Sequence, residues 1–103
     1  MIIQGGNTPI KVTFSDSVTD MPTLVATLWN EKGEQLKKWE KADMRIEGDT
    51  ATLPLDEDET ATFPSAFVFL EIKGVDDVGQ ILFWQKAKIR VYGRNDKIID
   101  LIN

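Results

Sequence analysis

Two runs of alternating apolar residues constrain this chain most. In the first, Ala66, Val68, Leu70 and Ile72 take every second position. In the second, Ile81, Phe83, Ala87, Ile89 and Val91 do the same, with Gln85 as the one polar member. Side chains alternate faces along a strand, so a period of two predicts two strands, each with one face toward a core. Between them stand Gly74, the four residues Val75 to Val78, and Gly79. A four-residue loop over 75–78 sets Gly74 opposite Gly79. It predicts Ile72 opposite Ile81, Leu70 opposite Phe83, Val68 opposite Gln85 and Ala66 opposite Ala87. Both apolar sets then share one face, which a slip of a single residue would undo. Val68, Leu70, Ile72, Ile81 and Phe83 are the predicted centre of the core.

The far face of this hairpin is unusual. It carries Phe67, Phe69 and Glu71 on one arm and Leu82, Trp84, Lys86, Lys88 and Arg90 on the other. The same register sets Phe69 opposite Trp84 and Leu82 opposite Glu71. One reading is packing: a loop or extra strand covers the rings, or they pair across the sheet. The other is an exposed apolar patch that marks a protein contact, formed by Phe67, Phe69, Leu82 and Trp84.

The rest of the chain reads as short strands and turns. Met1 to Gln4 predicts an edge strand broken at Gly5-Gly6, which lacks the lysine and helix of a phosphate loop. Ile10, Val12 and Phe14 alternate inward over 8–15. Leu24, Ala26 and Leu28 share one face of a strand over 23–30, and residues 35–40 return after Gly33. A two-residue turn at Lys32-Gly33 sets Ala26 opposite Trp39, Leu28 beside Lys37 and Trp29 opposite Leu36. Gly48-Asp49 predicts a type II′ hairpin with Ile46 opposite Ala51 and Met44 opposite Leu53. Asp56 and Glu59 have the spacing of a helix cap, so one helical turn is expected near residues 56–61, with Leu55 and Phe63 plugging the core. The terminal Ile98, Ile99, Leu101 and Ile102 either add a strand or dock on a partner. The fold expected is therefore all-β: an immunoglobulin-like antiparallel β-sandwich of seven or eight strands, residues 1–103 forming one domain, with a small barrel as the other architecture.

Composition excludes more than it identifies. The chain of 103 residues has no His and no Cys, so a Ser-His-Asp triad, thiolate zinc sites and disulfides are out of reach. The acids at 56–59 lack the glycine and alternate-position acids of an EF-hand loop. No catalytic residue, cofactor or metal is expected. A formal charge of −5 argues against nucleic-acid and anionic-membrane partners. No apolar run approaches the ~20 residues of a membrane span, and no secretory signal is read at the N-terminus.

Several stretches together carry a family resemblance: Ile3-Gln4-Gly5, Leu28 to Gly33, Lys38-Trp39, Leu53-Pro54-Leu55 with Glu59-Thr60, Leu70 to Lys73, and Lys88 to Val91. The chain resembles small immunoglobulin-like domains encoded in phage and prophage tail regions, loosely similar to the N-terminal domain of baseplate upper proteins. That resemblance implies a non-catalytic structural or assembly protein of a tail or baseplate. It would contact other tail proteins or itself, as a homo-oligomer, in the host cytoplasm during assembly or in the virion tail. Phe67, Phe69, Leu82 and Trp84 form one candidate interface and Ile98, Ile99, Leu101 and Ile102 a second. The alternative is a carbohydrate- or cell-surface-binding module that stacks sugars on Trp29, Trp39 or Trp84. A third is an accessory domain with no ligand.

Overall fold

A computed structural model describes residues 2–15, 17–19, 21–64 and 66–93. Its strands are β1 (Ile2–Ile3), β2 (Ile10–Thr13), β3 (Thr23–Trp29), β4 (Gln35–Glu40), β5 (Arg45–Glu47), β6 (Thr50–Leu53), β7 (Phe67–Val75) and β8 (Ile81–Tyr92). They form a five-stranded sheet in the order β1-β8-β7-β3-β4 and a three-stranded sheet in the order β2-β6-β5. This is the expected β-sandwich, not a barrel. One pairing departs from the antiparallel expectation, because β1 runs parallel to β8, with Ile2 beside Val91. A 3-10 turn spans Lys41–Asp43, and a single short helix, α1, spans Glu57–Ala61.

The core lies between the sheets. Leu24, Ala26 and Leu28 on β3, Trp39 on β4, Ala51 and Leu53 on β6, Val68, Leu70 and Ile72 on β7, and Val91 on β8 are all buried. Full burial of each large aliphatic side chain contributes about 1.5–3 kcal/mol. The indole N–H of Trp39 donates to the Pro54 carbonyl at 2.9 Å, so its polar tip is satisfied inside the core. Leu55 and Phe63 close one end as expected. Between them α1 is held by a reciprocal capping box of Asp56 and Glu59, and the Thr60 hydroxyl donates to the Gly6 carbonyl at 2.7 Å. An ion pair from Lys37 to Glu59 ties α1 to β4.

The register of the central hairpin differs from the expected one. Ile72 pairs with Gln85, Leu70 with Ala87 and Val68 with Ile89. On the far face Phe69 lies opposite Lys88, Glu71 opposite Lys86 and Lys73 opposite Trp84. The reason is turn chemistry. Asp76 folds the turn, its Oδ1 accepting from the N–H groups of Val78 (3.0 Å) and Gln80 (2.8 Å). Its own N–H donates to the Gln80 carbonyl at 3.0 Å, and Gly79 takes φ 84°. The loop is therefore Asp77 to Gly79, later than the 75–78 loop expected. Taken alone, this turn would put Ile72 opposite Trp84 and turn one strand's apolar face outward. A bulge corrects it: Gly74 pairs with Phe83 but Val75 with Ile81, which leaves Leu82 as the extra residue. Face assignment is thereby kept although every partner moves. Ile81, beyond the bulge, is 49% exposed and is not part of the core; Phe83 is half-buried.

The first hairpin repeats the device. Asn30 Oδ1 accepts from Lys32 at 2.9 Å and Glu34 at 2.8 Å, and Gly33 takes φ 83°. The register then jumps between Leu28–Lys37 and Trp29–Gln35, which skips Leu36. Ala26 opposite Trp39 and Leu28 opposite Lys37 hold as expected, whereas Trp29 faces Gln35 instead of Leu36. Both turns thus obey one rule: an Asx residue, glycine three residues on, and an extra leucine six residues on. Asp76→Ala is expected to cost about 1 kcal/mol, because two backbone donors lose their acceptor, while Asp76→Asn costs less. The urea midpoint at unchanged m-value measures the difference.

The third hairpin follows the expected register, Ile46 pairing with Ala51 and Glu47 with Thr50. Gly48 takes φ 60° and no other residue type among the described residues has positive φ, which fits type II′ and excludes type I′. Met44 is buried just outside the end of β5.

Candidate functional site

Among the described residues the two sheets do not close along one side. There β2 and β8 form opposite lips of an apolar groove of about 1310 Å³. Ile10, Val12 and Phe14 line the β2 side, Phe83, Gln85, Ala87 and Ile89 the β8 side, and Leu70 and Ile72 the floor. Gln85 and Ala87 occupy core-facing positions of β8 but are exposed, because no strand of the smaller sheet lies over them. The Phe14 and Phe83 rings meet at 5.1 Å. The ring of Phe83 lies across Gly74 together with Met21: a Cβ on Gly74 would fall 2.5 and 2.7 Å from Phe83 Cε1 and Cζ and would collide with Met21 Sδ.

The edge of β8 beside this groove carries backbone groups that no strand among the described residues pairs. Val91 N–H donates to the Ala66 carbonyl at 2.8 Å, so Val91 turns its backbone groups toward β7. Alternation then directs those of Phe83, Gln85, Ala87 and Ile89 toward β7 and those of Trp84, Lys86, Lys88 and Arg90 away from it. The Gln4 N–H, which donates to the Tyr92 carbonyl at 2.9 Å, confirms the phase. β1 covers the edge only at Val91 and Tyr92. Among the described residues, no strand pairs with the edge from Phe83 to Arg90.

The outer side chains of the same strand form a basic ladder resting on aromatic rings. Lys73 and Lys86 lie 5.8 and 6.0 Å from the centre of the Trp84 ring. Lys88 and Arg90 lie 4.0 and 5.3 Å from that of Phe67, and Arg90 5.1 Å from that of Tyr92. Each such contact contributes about 0.5–1 kcal/mol when exposed and holds the long side chains on the outer face of the sheet. Glu71 is the one carboxylate in the row. It accepts from the Trp84 indole at 2.8 Å and pairs with Lys86 at 3.6 Å. Among the described residues neither Lys88 nor Arg90 has a carboxylate within ion-pair distance.

The expected interface residues are therefore separated. Leu82 and Trp84 are 53% and 58% exposed. Phe67 is half-buried beneath Lys88 and Arg90, and half-buried Phe69 pairs across β7 and β3 with Trp29. A continuous patch of four apolar side chains does not form, because the shifted register inserts lysines between the rings. Ile98, Ile99, Leu101 and Ile102 lie outside the described residues. Of the three tryptophans proposed for sugar stacking, Trp39 is 1% exposed and belongs to the core. The groove and the edge left unpaired among the described residues leave little trace in the sequence; Gln85 amid the apolar positions is the one local sign.

The fold is similar to that of CopC from Methylosinus trichosporium OB3b. The crystal structure of that protein matches with a TM-score of 0.63 and 10% identity, over 92% of this chain and 86% of that one. No protein-family model matches the chain, and no curated protein does. These findings overturn the resemblance to phage and prophage tail domains and the tail or baseplate role drawn from it. The matching stretches were strand and turn segments, such as Leu28 to Gly33, which a β-sandwich of any ancestry needs. At this identity the likeness to CopC shows the fold alone. A copper centre draws on thiolate, thioether and imidazole ligands. This chain has no Cys, no His and three Met, with Met21 packed against Gly74 and Met44 buried. Among the described residues no group of three or more His, Cys, Asp or Glu could hold a metal. The described residues do not fit a copper site. Nor is any described helix long and apolar enough to cross a membrane.

Proposed function

We propose that this domain binds an extended segment of a partner protein by strand addition to the edge of β8. The observation that carries the reading is the edge from Phe83 to Arg90, which no strand among the described residues pairs and which lies beside an apolar groove. An added strand would satisfy the outward backbone groups of Trp84, Lys86, Lys88 and Arg90, and its alternate side chains would fill the groove between β8 and β2. Small-molecule pockets usually measure about 300–1,000 Å³. This groove is larger and open along its length, which suits a chain segment better than a compact ligand.

Hydrogen exchange tests the reading. A capped peptide alternating Ser and Val, matched in length to the edge, is expected to slow exchange at the amides of Trp84, Lys86, Lys88 and Arg90. Lys88→Pro removes one outward donor and no bond to β7, a substitution that edge strands tolerate. It should abolish that protection while the thermal transition persists. Protection that survives in a folded Lys88→Pro variant, or none at all in the parent chain, contradicts strand addition.

A further inference from the structure

We infer that the β8 edge selects an acidic partner: a segment alternating carboxylate and apolar residues. This rests on the strand-addition reading and specifies its ligand. Residues of an added strand that lie opposite Trp84, Lys86, Lys88 and Arg90 point to the outer face, and those opposite Gln85, Ala87 and Ile89 point into the groove. Cations on alternate residues of one strand stand about 6.6 Å apart, twice the rise per residue. Side chains on one face of the added strand have the same spacing. Acids at alternate positions therefore meet Lys86, Lys88 and Arg90 in step, at the separation where cross-strand opposite charges attract. The aromatic rings hold these cations on the outer face before any partner arrives, Lys88 and Arg90 over Phe67 of β7 and Lys86 beside Trp84, so a partner's carboxylates would draw them across β8 toward its open side. Lys88 and Arg90 have no competing carboxylate among the described residues, whereas Lys86 shares Glu71 with Trp84.

The same row disfavours a second copy of this chain. Antiparallel edge-to-edge pairing would bring Lys86, Lys88 and Arg90 of two copies against one another, and like charges directly opposite destabilise a sheet. The net charge of −5 gives an acidic partner no long-range pull. Recognition must therefore be local, within the ~10 Å over which charges act at moderate salt.

The test compares three capped peptides of equal length, Glu-Val, Ser-Val and Lys-Val repeats, titrated against the full chain. The Glu-Val peptide should bind roughly tenfold tighter than Ser-Val at low salt, and Lys-Val weakest. That advantage should shrink as salt rises, and the double variant Lys88→Glu/Arg90→Glu should reverse the order. Equal binding of Glu-Val and Ser-Val overturns the acidic preference while leaving strand addition intact; no binding by any of the three removes both. Tighter capture of a single-stranded oligonucleotide than of the Glu-Val peptide overturns the assignment of partner class. So does protection of the Trp84 to Arg90 amides in the free chain at concentrations where it is monomeric, since the chain's own residues would then hold the edge. Protection that appears only with self-association points to a second copy and equally contradicts the inference.

Discussion

Trp39→Ala is expected to lower stability by about 3–5 kcal/mol, the cost of deleting a large aromatic from a packed core. The side chain is 1% exposed and reaches from β4 to the Pro54 carbonyl. Little can collapse into the space, because Trp39 pairs with Ala26, which has only a methyl group to offer. Domains hold about 5–15 kcal/mol in total, so the variant stands near the limit of folding. Trp39→Phe separates the two contributions. It retains most of the apolar volume but leaves the Pro54 carbonyl without its donor, for an expected loss of about 1–3 kcal/mol. Urea unfolding of both variants measures this. Equal losses would show that the hydrogen bond, not the packing, dominates.

Gly74→Val is expected to cost about 1–3 kcal/mol through overpacking. Gly74 sits opposite Phe83, and the added atoms enter the space of the Phe83 ring and the Met21 thioether. The ring cannot simply swing aside without leaving Phe14, with which it packs at 5.1 Å. Phe83→Ala in the same background removes the collision with the ring and leaves only the flexible Met21 thioether to move. The two substitutions should therefore be non-additive, the double variant being more stable than the sum of the single losses predicts by about 1 kcal/mol. Additive losses would place the cost of Gly74→Val outside the ring, at the Met21 thioether or in the backbone. The same cycle probes the groove, because Phe83 forms part of its wall.

The interior was legible in the chain to the level of faces. Alternation placed Val68, Leu70 and Ile72 in the core and Leu24, Ala26 and Leu28 on one face of their strand, and all six are buried. The helix cap at Asp56 and the turn at Gly48 were legible too, since each depends on residues within a few positions. Registers were harder. The Asx turns at Asn30 and Asp76 and the bulges at Leu36 and Leu82 each move partners by a residue or more, and their effects combine. The far face suffered most. Phe69 and Trp84 look adjacent under a four-residue loop and are four residues out of register in the fold, with Glu71 and Lys86 between them.

The sequence by itself determined which residues share a face, because hydrophobic alternation at period two is a local property that survives any even shift of register. It also determined what chemistry is out of reach, since a chain without His or Cys cannot assemble a catalytic triad or a thiolate site. Tertiary structure alone decided that the sandwich stays open between β2 and β8. Those strands are some seventy residues apart and belong to different sheets, so no local pattern records the gap between them. It also decided that the edge carrying Lys86, Lys88 and Arg90 is unpaired among the described residues. A strand's neighbours follow from sheet order, which is set by how the whole apolar surface is buried and not by the strand's own residues.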